Sequence, residues 1–142
     1  MKRYTLSLAA LAMAASMETA AQGFTTTQHV IPEDRLVKAE QNYLACLASN
    51  NAGLIESAMA QIVRFKLLFP DRELKSLRQR LEEISINGPT ASIKYKAYLA
   101  GSVLDNPALM ATVLGVETMT SEELFSAIAG RLRITLLGDV VQ

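Results

Sequence analysis

Lys94-Tyr95-Lys96-Ala97-Tyr98 is the densest group of side chains in this sequence that could meet a ligand. Two ammonium groups and two phenol rings on one helix have the chemistry to hold an anion or to stack on nucleic-acid bases. Lys94, Tyr95 and Tyr98 are therefore the candidate partner or ligand contacts. The same residue types also have a purely structural use. A tyrosine half-buries its ring with the hydroxyl in water, and a lysine lays its stem along apolar surface. Lys75, Arg78 and Arg80 would extend the basic face from a neighbouring helix, with Glu82 and Glu83 offsetting it.

The remaining reactive residue types are sparse. His29 is the single imidazole, so a histidine-dependent hydrolase would have to use it. Cys46 lies among Leu44, Ala45 and Leu47, which suits a buried structural thiol better than a nucleophile. Glu82 and Glu83 are adjacent, so on a helix they point about 100° apart and cannot face one substrate as a pair. Glu122 and Glu123 fit a helix N-terminus. One Cys and one His do not make a Cys/His zinc site, and the seven glycines form no phosphate-cradling loop. These observations point to no catalytic residue, no metal site and no cofactor.

The chain has 142 residues, 14 basic against 14 acidic side chains and half its residues hydrophobic. Its mean hydropathy is +0.19. That length fits one domain with a real core. Zero net charge lacks the basic footprint of a nucleic-acid binder, so no nucleic acid is expected.

Residues 1–21 have the three parts of a secretory signal. Lys2 and Arg3 are the positive start, Thr5 to Met17 the apolar run, and Ala21 the small residue before cleavage, with Thr19 at −3. Cleavage after Ser16 is a weaker alternative. The run is shorter than the roughly 20 residues a membrane span needs. No membrane anchor is expected after cleavage, and the destination is periplasmic or extracellular. Removing the segment takes away two basic residues and one acidic, leaving 12 and 13 and a net charge of −1.

The rest of the chain must position the candidate residues. Residues 22–32 show no helical period and read as an exposed, flexible N-terminal arm. From residue 33 to 137 the pattern is helix broken by turn chemistry, ending in a short tail, 138–142. Helices are expected over 33–49, 52–69, 71–86, 90–104, 107–114 and 121–136. Ser49-Asn50-Asn51, Pro70, Asn87-Gly88-Pro89, Asp105-Asn106-Pro107 and Gly115 separate them. Leu74, Leu77, Leu81 and Ile84 form one clean apolar stripe, whereas 52–69 is apolar nearly all round and should sit centrally. Thr120-x-x-Glu123 has the form of a capping box. A weak repeat at an offset of 55 aligns Tyr43, Asn51 and Leu54 with Tyr98, Asn106 and Leu109.

The run Asn42 to Asn51, the pair Phe69-Pro70 and the run Ile93 to Ala100 resemble small exported bacterial proteins of unknown function with HEAT-like helical hairpins. The resemblance spans roughly residues 40–107 and implies no activity. The expected fold is all-α, with five to six short helices in stacked antiparallel hairpins of α-solenoid type. The expected role is a non-enzymatic binding or scaffold protein making protein–protein contacts, with another protein or a second copy as partner. Its rivals are a small apolar-ligand carrier and an enzyme with a dispersed acidic site.

Overall fold

The structure, a computed structural model, describes residues 31–138. The expected signal segment, the arm up to Val30 and the last four residues lie outside that range. Within it the chain is all-helical, with no strand among the described residues. The helices are α1 (Glu33–Leu47), α2 (Ala52–Leu68), α3 (Lys75–Asn87), α4 (Ala91–Asp105) and α5 (Ser121–Gly138), with a 3₁₀ turn at Pro107–Met110.

Short polar residues start three of these helices by capturing their first free N–H groups. The Asn51 side chain accepts from the Leu54 N–H at 3.2 Å, and Thr90 Oγ1 from the Ile93 N–H at 3.2 Å. At α5 the capping box forms in both directions. The Thr120 N–H donates to Glu123 Oε2 at 2.7 Å, and the Glu123 N–H donates to Thr120 Oγ1 at 3.2 Å. Glu33 and Asp34 give α1 the acidic first turn that its dipole favours.

Two elements differ from the sequence reading. The helix expected from Asp71 starts at Lys75. The cause is Lys66, whose buried ammonium donates to the Pro70 and Arg72 carbonyls at 2.7 and 2.8 Å and holds this stretch as a loop. With Asp71 outside the helix, Lys75 pairs with Glu73 at 2.8 Å. The helix expected over 107–114 is a single 3₁₀ turn followed by turns up to Gly115, at φ +74°. Bonds from Ala111 N–H to Ala108 and from Val113 N–H to Met110 close tight turns there, and so short a segment lacks the length to propagate.

The core lies where α2 and α4 meet. α2 packs against α1, α4, α5 and the 3₁₀ turn, and α4 against α2, α3, α5 and the 3₁₀ turn. That is why both are apolar on more than one face. Met59, Ile62 and Val63 of α2 and Leu99 and Val103 of α4 are fully enclosed, each such side chain worth about 1.5–3 kcal/mol. The α3 stripe of Leu74, Leu77, Leu81 and Ile84 is buried as expected. α1 also packs on α3. Arg72 ties the α2–α3 loop to α1 through Glu33 and Glu40.

The 55-residue correspondence does not extend to surroundings. Tyr43 is half-buried with its ring edge-on to Phe65, while Tyr98 is exposed. Asn51 caps a 17-residue helix, while Asn106 makes no side-chain cap bond before its four-residue turn.

Candidate functional site

Tyr95 and Tyr98 stand one turn apart on α4, on the side crossed by α5. A helix facing both core and solvent leaves its i, i+3 positions on one strip. Tyr95 and Tyr98 are 55% and 54% exposed, so each ring is half in water. They form one wall of an open groove of about 640 Å³. The other wall comes from α5, with Leu132, Arg133, Leu136 and Leu137. α5 buries Leu124, Phe125 and Ile128 and then leaves the core. Leu136 is 62% exposed, and Ile134 and Leu137 are similarly open. The last turns of α5 thus carry apolar side chains that nothing among the described residues covers.

Lys94 does not join this groove. Its stem lies over the α3–α4 turn, with Cγ 3.3 Å from where a β-carbon at Gly88 would stand. Lys96, the other lysine of the run, is buried. Its ammonium donates to Glu56 Oε1 of α2 at 2.8 Å and to Glu122 Oε2 of α5 at 2.7 Å. It also sits 5.7 Å from the Phe125 ring centre. Burial pulls the Lys96 pKa down, but the hydrogen bonds it donates to Glu122 and Glu56 outweigh it and hold it above the ordinary lysine value. The structure therefore brings Tyr95 and Tyr98 together and separates the two lysine charges from them.

The neighbouring cations make no open basic field. Arg78 pairs with Asp105 at 2.7 Å and with Glu82 at 3.7 Å, and Arg80 with Glu83 at 2.9 Å. The Asp105 hydrogen bond raises the Arg78 pKa further. The acidic pairs are occupied in turn: Glu82 and Glu83 by those arginines, Glu122 by Lys96, and Glu123 by the cap. Cys46 is half-buried rather than enclosed. No group of three or more His, Cys, Asp or Glu side chains comes together among the described residues.

A second concavity, about 650 Å³, opens between α2 and the segment joining α4 to α5. Phe65, Leu68, Met110, Val113 and Val116 give it apolar walls, and Tyr43 closes one side from α1. Burial, with a smaller effect from nearby Cys46, pushes the Tyr43 phenol up in pKa. Arg64 also lines the cleft. Its Nε donates to the Val116 carbonyl at 3.2 Å and its Nη2 to the Met119 carbonyl at 2.6 Å. Those bonds span 52 and 55 positions, so no local spacing signals them.

No helix among the described residues is long and apolar enough to cross a membrane. No family model, curated protein or solved structure matches the chain.

Proposed function

We propose that this chain is an exported, non-enzymatic helical protein that binds another protein through its α4–α5 face, as a scaffold or adaptor. The observation that carries the reading is the groove formed by Tyr95 and Tyr98 against Leu132, Leu136 and Leu137. An apolar surface of this kind, with half-exposed aromatic rings at its edge, has the make-up of a contact patch. Tyrosine anchors supply large contact area with few rotamers to freeze. The Glu82, Glu83, Glu122 and Glu123 carboxylates are engaged in ion pairs and a cap, which favours binding over chemistry at those residues.

The hairpin-stack architecture belongs to the same proposal. Supporting it, α1 packs on α2, α3 on α4, α1 on α3 and α2 on α4. Glu33 to Lys75 is 42 residues and Ala52 to Ala91 is 39, close to the roughly 40–47 residues of a HEAT-type unit. Export rests on the Lys2-Arg3 start, the apolar run and Ala21.

The test is photo-crosslinking in the native host from positions 95, 98 and 136, with the exposed position 76 of α3 as control. A discrete adduct from the first three and none from the control supports the proposal. Equal, diffuse adducts from all four, or none from any, refute it.

A further inference from the structure

We propose that the cleft beside α2 binds a single-chain amphiphile carrying one carboxylate, with Arg64 as the partner of the anion. The site is separate from the α4–α5 groove, so the two readings stand or fall independently.

The argument starts from the charge on Arg64. A guanidinium has five N–H donors and cannot shed its proton. In this structure Nε and Nη2 each donate to a backbone carbonyl, of Val116 and Met119. Both acceptors are neutral, so they orient the group without balancing its charge. No carboxylate among the described residues lies in salt-bridge range of it, although Arg72, Arg78 and Arg80 all have one. The N–H groups left over are on Nη1 and Nη2. That edge of the fork is the one that takes a carboxylate through two parallel bonds.

The rest of the cleft fits the tail of such a molecule. Its walls are Phe65, Leu68, Met110, Val113 and Val116, and its volume is about 650 Å³. Small-molecule sites commonly have this size and this mixture of apolar wall and few polar groups. Tyr43 and Gln61 add neutral polar atoms. Glu117 lies on the same lining and sets the sign of the choice. With Glu117 on the same lining but beyond salt-bridge range of Arg64, one guanidinium edge suits a singly charged head better than a doubly charged phosphate. The acyl carboxylate is therefore the occupant, and an alkyl phosphate is not.

The experiment is calorimetric titration of the purified protein, expressed from the full chain, with decanoate, 1-decanol and decyl phosphate, each below its aggregation threshold. Decanoate is expected to bind one per protein, at least about tenfold more tightly than decanol or decyl phosphate. Arg64→Met should erase the preference for decanoate over decanol. Because Arg64 also holds the Val116–Met119 loop, a second variant is needed. Leu68 is exposed on the cleft wall, so Leu68→Glu adds negative charge without touching the core. It should weaken decanoate about tenfold at an unchanged melting temperature. Equal binding of decanol and decanoate overturns the proposal. So does tighter binding of decyl phosphate, no binding of any probe, or full decanoate affinity in Leu68→Glu.

Discussion

Lys96 offers the sharpest test of how the three central helices are held. Its side chain is 11% exposed, against 31% for Glu56 and 79% for Glu122. The burden of desolvation therefore falls on the lysine. Removing both acceptors with Glu56→Ala and Glu122→Ala leaves a buried ammonium without a partner. Breaking fully buried pairs costs about 3–5 kcal/mol, and the exposure of Glu122 reduces that here to about 2–4. Lys96→Met does the opposite. It removes the buried charge, keeps the stem volume and leaves two carboxylates with access to water, so stability should change by less than about 1 kcal/mol. Urea unfolding followed by circular dichroism reads both, with equal slopes required for the comparison. The same residue sets an alkaline limit. Its folded pKa is raised above the ordinary 10.5. The stabilisation is thus complete below the unfolded value and is lost as pH rises through the folded one. Lys96→Met should lack that loss. If Lys96→Met costs as much as the double glutamate variant, ion-pair attraction rather than desolvation dominates and the reasoning fails.

Four further outcomes are expected. Thr120→Ala removes the α5 cap and should cost about 1 kcal/mol in urea unfolding. Hydrogen bonds from Thr120 hold the Glu123 carboxyl below its ordinary value, so the capping contribution is present above the usual carboxylate range and lost as pH falls through the folded value; Glu123→Gln should flatten that acid limb. In Arg72→Met the Glu33 carboxyl, now held low mainly by its Arg72 hydrogen bond, should return to its ordinary titration range, as read from its side-chain carbon resonance. Expression of the full chain in a bacterial host should yield an N-terminus at Gln22 by Edman sequencing of the exported fraction, and an intact Met1 there would refute cleavage.

Periodicity was a good guide where burial is one-sided. The α3 stripe and the inward positions Leu124, Phe125 and Ile128 of α5 follow from spacing alone, because a single packed face imposes a single period. The Thr120–Glu123 box was equally visible, since both partners sit within one turn. Long-range polar bonds were not visible. Lys66 decides where α3 begins, and Lys96 joins helices through partners 40 and 26 positions away. In the sequence Lys96 looks like its neighbour Lys94, yet one is buried and the other lies over a turn. Tyr95 and Tyr98 are recognisable in the sequence as members of one helical cluster with Lys94, from which the structure sets Lys94 apart. The α5 wall opposite the two tyrosines is not, because the crossing of two helices is a tertiary fact.

The apolar excess of this chain is unevenly spent. Inside, α2 and α4 use it on several faces because each is surrounded. Outside, besides single exposed residues such as Ile86 and Leu114, it lines two places of different character. The end of α5 with Tyr95 and Tyr98 is an open strip whose one charged member is Arg133. The cleft beside α2 is concave and holds an oriented cation with neutral acceptors. An open apolar strip gains most from a broad partner that covers it, since the benefit scales with area removed from water. A concave wall with one placed charge gains most from a small amphiphile, since orientation comes from the ion and affinity from the tail. Leu68→Glu bears on the second surface alone and substitution of Tyr98 on the first alone, so the two surfaces are separable by single changes at exposed positions.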